Sequence, residues 1–165
     1  MRYPRVVRTV GLDLGERRIG VAVSDASGTL ARPVKAIQRG TSDPEAVDRI
    51  HAIVTELAAE DGVDSVVVGL PTRLDGTSSP QTVRANAMVT LLSARLPVPV
   101  VTQDERLSSR EAEERLAVRE KDWRKRKAKL DAAAAAVILQ DYLDGRASAR
   151  QESNGSGSGH QGEPE

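Results

Sequence analysis

The chain of 165 residues has no cysteine, no phenylalanine, one tryptophan, two tyrosines and two histidines. Without cysteine there is no disulfide framework, thiolate zinc site, iron–sulfur cluster or cysteine nucleophile. Two histidines are too few for a multi-histidine metal centre. So few rings exclude base stacking as the main way of holding a single strand, and they leave the core to Val, Leu, Ile and Ala. No stretch approaches the ~18 apolar residues of a membrane helix. The opening MRYPRVVRTVGLDLG has no apolar run of signal-peptide length. The expectation is a soluble, cytoplasmic protein with no membrane partner. Net charge is lacking too, since 24 Lys and Arg cancel 24 Asp and Glu. The charges are unevenly spread: residues 151–165 carry Glu152, Glu163 and Glu165 and no Lys or Arg, so residues 1–150 hold 24 basic against 21 acidic groups. A zero total therefore does not exclude a polyanion partner.

The length suits one domain of roughly 150 residues with a single core. Residues 6–13 and 18–25 read as β-strands joined by the turn Leu14-Gly15-Glu16-Arg17, an antiparallel hairpin. A third strand fits 29–38, where Pro33 demands an edge or a bulge. From Asp43-Pro44 a helix runs to about Glu60, with Val47, Ile50, His51, Val54 and Leu57 on one face. The apolar run 64–71 reads as a central strand covered on both faces. A loop, a helix over about Gln81–Leu96 and a strand over Val98–Thr102 follow. A short helix fits Arg110–Val118, and a last helix runs over about 130–144. Residues 1–146 form the expected domain, and 147–165 a disordered polar tail rich in Ser, Gly, Gln and Glu. This order describes an α/β fold: a mixed five-stranded sheet, its first three strands antiparallel, with helices on both faces.

Three carboxylates end three of these units. Asp13 closes the first strand between Gly11 and Gly15, which suits an Asx turn or the approach of a bulky anion to the backbone. Glu105 ends the strand at Val98–Thr102, beside Asp104; strand alternation lets only one of that pair face Asp13. Asp131 falls in the first turn of the last helix as read here, an ordinary place for an acid. Singly each has an unremarkable explanation. Together, three acids on separate elements that converge only through the fold need a cation among them. An all-oxygen set suits Mg²⁺ or Mn²⁺, and such ions activate water for phosphodiester cleavage. Ala132 to Ala136 give the last helix a small-residue face on which to lie close to the sheet. The segment 119–129 carries seven basic and two acidic residues. Arg124, Lys125, Arg126, Lys127 and Lys129 there, with Arg106 beside Glu105, are candidates for holding nucleic-acid phosphates. Trp123 either stacks on a base or anchors its loop, and Arg73–Thr77 reads as a second lip of the site.

GLDLGERRIGVAVSD (11–25), VVVGLPTRLDGTSS (66–79), DERLSS (104–109) and LDAAAAAVILQDYL (130–143) occur in order and with fitting spacing. In these motifs, over about residues 8–143, the chain resembles the YqgF family, also called RuvX, described both as Holliday junction resolvases and as pre-16S rRNA nucleases. The resemblance implies an RNase H-like fold and divalent-metal phosphodiester cleavage by a carboxylate triad on Asp13, Glu105 and Asp131. It implies action on structured RNA at the 5′ end of precursor 16S rRNA, or on four-way DNA junctions; no dimer surface is obvious in the sequence, and a monomer or weak homodimer is expected. Ser108-Ser109 departs slightly from the family's usual Ser/Thr-Thr pair. The second helix lacks a common phenylalanine, a space for Val89 or Leu92. The segment before Asp131 is unusually basic and lacks glycine, which bears on substrate preference. Two other classes compete. An actin-like or sugar-kinase ATPase shares the D-x-G hairpin of Asp13-Leu14-Gly15 but needs a second domain, and a non-catalytic nucleic-acid-binding module needs no aligned acids.

Overall fold

The computed structural model describes residues 7–71, 79–105 and 123–155. The elements are β1 (Arg8–Leu14), β2 (Arg18–Ser24), β3 (Ala31–Gln38), α1 (Asp43–Asp61), β4 (Val63–Leu70), α2 (Pro80–Arg95), β5 (Val100–Asp104) and α3 (Trp123–Gly155). They build one five-stranded sheet in the order β3-β2-β1-β4-β5. β1, β2 and β3 pair antiparallel, while β4 runs parallel to both β1 and β5. Pro33 meets both of its requirements: β3 is an edge strand, and the β2–β3 register shifts between Val21 and Ala22, opposite Lys35 and Pro33.

Strand alternation divides the sheet's side chains between two faces. On one face Val10, Leu12, Ile19, Val21, Val66 and Val68 pack against Ile50 and Val54 of α1 and Met88 and Leu92 of α2. Leu92 is fully buried and Val89 packs beside it, so the space expected for an aromatic ring on α2 is filled by aliphatic side chains. Both helices start on a capping serine, with proline at the second helical position of α1 (Pro44) and the first of α2 (Pro80). Ser42 accepts from the Glu45 N–H, and Ser79 forms a reciprocal capping box with Thr82. On the other face Ala22 and Val67 meet Ala135, Ile138, Leu139 and Leu143 of α3.

The last helix differs from its expected limits. α3 starts at Trp123 rather than near residue 130, so the basic segment from 123 to 129 is its first two turns, not a loop. Lys and Arg are good helix formers, and the alanine run continues the helix without a break. Asp131 is thus the ninth residue of α3, not a first-turn acid. At its other end α3 passes through the boundary expected after residue 146 and ends at Gly155, with residues 147–155 helical and exposed. The short helix expected at 110–118, the lip at 73–77, Arg106 and residues 156–165 lie outside the described residues. Among the described residues no helix is long and apolar enough to cross a membrane.

Candidate active site

The site forms where α3 crosses the carboxyl ends of β1 and β4. Asp13 is the penultimate residue of β1, and alternation turns it away from the Val10–Leu12 face toward α3. Its partner across β2 is Gly20. The register that pairs Leu12 with Val68 carries Gly69 alongside Asp13 on the other flank. A carboxylate between two glycines has no Cβ neighbour on its own layer, and α3 descends into that space. A methyl group at Gly20 would stand 1.8 Å from the Asp131 carbonyl oxygen. One at Gly69 would stand 2.5 Å from Ile138 Cδ1 and 3.0 Å from Glu105 Oε2. One at Gly11 would stand 2.7 Å from Leu139 Cβ. Real contacts never approach the shortest of these, so the missing side chains are what let the helix seat.

Glu105 follows β5 directly, and its N–H donates to the Leu70 carbonyl at 2.9 Å. Its side chain comes to Gly69 and Asp13, while Asp104 is exposed. The alternation argument therefore holds for that pair. Burial, the negative charge and hydrogen bond of Glu105, and then the charge of Asp131 push the Asp13 carboxyl from 3.8 up to about 8. The shift arises because like charges in a desolvated pocket cannot all ionise, so one of them keeps a proton. Asp131 is about three-quarters buried, and its Oδ2 accepts from Arg18 Nε at 2.9 Å.

The structure therefore brings Asp13 and Glu105 into contact, with Asp131 within electrostatic reach of Asp13. Among the described residues, no three acidic or imidazole side chains stand close enough to enclose a single ion. The donor chemistry nevertheless fits a hard divalent cation: three carboxylates with no nitrogen or sulfur, carrying more negative charge than the pocket accepts without a proton. The glycines beside Asp13, where the sequence suggested an Asx turn or the approach of an anion, have neighbours within the fold. Gly11 seats α3, and the Gly15 N–H donates to the carbonyls of Asp13 at 3.2 Å and Arg18 at 3.0 Å.

Lys125, Lys127 and Lys129 are exposed on the first two turns of α3. Arg124 and Arg126 lie on the same turns, and their side chains, like all of Arg106, fall outside the described residues. Sequence reading missed Arg18, Gly20 and Gly69. The signal was present in β2, where Arg18, Gly20 and Ala22 alternate onto one face.

A family model described as "RuvX: Holliday junction resolvase" matches residues 7–145. A protein of Anaeromyxobacter dehalogenans, provisionally named a pre-16S rRNA nuclease, is 47% identical over 141 residues, which is 86% of this chain and 99% of that protein. Among solved structures, Thermus thermophilus RuvC aligns with TM-score 0.50 and 20% identity over 86% of this chain and 97% of its own. The yeast mitochondrial Holliday junction resolvase Ydc2 aligns with TM-score 0.51 and 14% identity over 93% and 84%. At those identities the likeness speaks for the fold alone, which is RNase H-like, as expected.

Proposed function

Because this chain belongs to the RuvX family, we propose that it is a divalent-metal-dependent nuclease that hydrolyses phosphodiester bonds in structured RNA, processing the 5′ end of precursor 16S rRNA. Asp13, Glu105 and Asp131 are the proposed catalytic residues, and they would hold Mg²⁺ or Mn²⁺. When bound, such an ion supplies Lewis acidity and a water of lowered pKa. The chain's own part is to fix the carboxylates on three rigid elements, to exclude bulk water from Asp13 by packing α3 over it, and to keep a proton on the Asp13–Glu105 pair until a cation replaces it. Arg106, Arg124, Lys125, Arg126, Lys127 and Lys129 are the proposed phosphate contacts, positioning the backbone without reading bases. The proposed protein works in the cytoplasm as a monomer or weak homodimer.

What supports the reading is the contact of Asp13 on β1 with Glu105 at the end of β5, with Asp131 from the middle of α3 within electrostatic reach of Asp13, on a patch lined by glycines. With Asp131 nine residues into its helix, the ordinary role of an acid at a helix N-terminus no longer accounts for it. The family description names Holliday junction resolvases, and a resolvase must make paired cuts with two symmetric sites. Side-by-side digestion of a precursor rRNA fragment and a synthetic four-way junction, each with Mg²⁺ and with Mn²⁺, separates the two. The expected result is cleavage of the RNA, no paired cutting of the junction, and an inactive Asp13→Asn control. Paired junction cuts with intact RNA would establish the resolvase instead, and two intact substrates would leave a non-catalytic binding module.

A further inference from the structure

β2 touches Asp131 at two points. Gly20 receives its backbone: the Asp131 carbonyl oxygen occupies the place where a side chain at residue 20 would begin. Two residues earlier on the same face, Arg18 Nε donates to Asp131 Oδ2 at 2.9 Å, across 113 residues of sequence. Both side chains are about three-quarters buried, at 22% and 25% exposure, so the bond is only partly screened by water. Arg18 is itself fixed. It pairs with Gln38 of β3, and its carbonyl accepts the Gly15 N–H in the turn that follows Asp13. One residue is thus joined through its backbone to the turn beside Asp13 and through its side chain to Asp131.

We propose that Arg18 is a positioning residue for the divalent-cation site, holding the Asp131 carboxylate in one orientation within electrostatic reach of Asp13. This rests on the metal reading above. An aspartate on a helix has several staggered side-chain states. A partner that selects one of them removes an ordering cost that cation binding would otherwise carry. The sign of the effect separates this role from plain electrostatics. Removing a positive charge beside a cation site strengthens cation binding by Coulomb attraction alone. Weakened binding on its removal therefore reports orientation.

The test uses the full chain and Mn²⁺ alone, read by titration calorimetry, with melting temperature measured without metal. The variants are Arg18→Gln, Arg18→Lys, Asp131→Asn and, as control, Arg8→Gln, which breaks the Arg8–Asp61 pair between β1 and the end of α1. Arg18→Gln is expected to weaken Mn²⁺ binding by about 10–100-fold. Arg18→Lys, which keeps the charge but loses the Nε geometry, should fall between it and the wild type. Arg8→Gln should lower the melting temperature and leave Mn²⁺ affinity unchanged. Wild-type affinity in Arg18→Gln would make the pair purely structural, and tighter binding would make Arg18 a competing cation; either overturns the proposal. If Arg18→Gln does not fold, wild-type affinity in Arg18→Lys overturns it instead. Absence of saturable Mn²⁺ binding in the wild type, or unchanged binding in Asp131→Asn, defeats the metal reading itself, a failure visible without touching Arg18.

Discussion

The two faces of the sheet are made by the same strands and do opposite work. Toward α1 and α2, β1, β2 and β4 present Val10, Leu12, Ile19, Val21, Val66 and Val68, large side chains that fill a thick aliphatic layer. Toward α3 the same strands present Gly11, Gly20, Ala22 and Gly69, which are small, together with Val67 and the charged Asp13 and Arg18. The first face keeps its helices at a distance set by side-chain volume. The second lets the backbone of α3 approach the strands, and so brings Asp131 within electrostatic reach of Asp13 at the strand ends. A two-residue repeat separates a face that stabilises from a face that assembles chemistry, and burial on the first offsets the cost of gathering acids on the second.

The sharpest way to break this division is to exchange charge for shape. Asp13→Asn, Glu105→Gln and Asp131→Asn should each lower cleavage of precursor rRNA by more than about 100-fold, with circular dichroism unchanged and melting temperature at or above wild type for Asp13→Asn and Glu105→Gln, and lowered by no more than in Arg18→Gln for Asp131→Asn, which breaks the same ion pair. A comparable loss of melting temperature would return the acids to a structural role. On the opposite face, Leu12→Ala should cost about 2–5 kcal/mol in chemical denaturation and leave cleavage per folded molecule unchanged. A change in turnover there would mean that the faces are coupled.

Gly20→Ala and Gly69→Ala test the seat of α3. Each should cost about 1–3 kcal/mol and, unlike Leu12→Ala, reduce turnover of the molecules that do fold, because the helix bearing Asp131 must move. Stability against pH sharpens the comparison further. Asp13 titrates near 3.8 in an unfolded chain and at about 8 here. Its contribution is therefore fully present below about pH 4 and is lost as pH rises through about 8. Metal-free protein should be less stable at pH 9 than at pH 6, Asp13→Asn should remove that difference, and saturating Mn²⁺ should restore stability at the higher pH. The smallest expected effect belongs to the surface: Lys125→Gln, Lys127→Gln and Lys129→Gln combined should flatten the salt dependence of RNA affinity by a slope of about 2. An unchanged slope would make these lysines ordinary solvated charges.

Much of this was legible in the chain itself, for stated reasons. Val10 and Leu12 alternating with Gly11 and Asp13 announce a two-faced strand, and Pro33 locates the sheet edge. The acids at 13 and 105 stand out because each closes a strand, and Asp131 because it opens the alanine run of the last helix. What escaped depends on register and distance. Gly20 and Gly69 acquire meaning only once pairing sets them on either side of Asp13. Arg18 looks like an ordinary strand-opening cation until α3 folds back across 113 residues to meet it. The start of α3 was misplaced because a run of cations resembles a solvated loop, and only the continuous helix reveals that residues 123–129 belong to it.

That continuity sets a ruler. Lys127 lies one turn ahead of Asp131 on the same side of the rod, and Lys125 about 9 Å upstream along the axis. If these lysines grip phosphates, the interval from grip to scissile bond is dictated by helical pitch rather than by a pliable hinge. Inserting one residue between them would swing the grip by about 100° around the axis and turn it off the strand being cut, whereas a full added turn would shift the cut along the RNA instead of abolishing it.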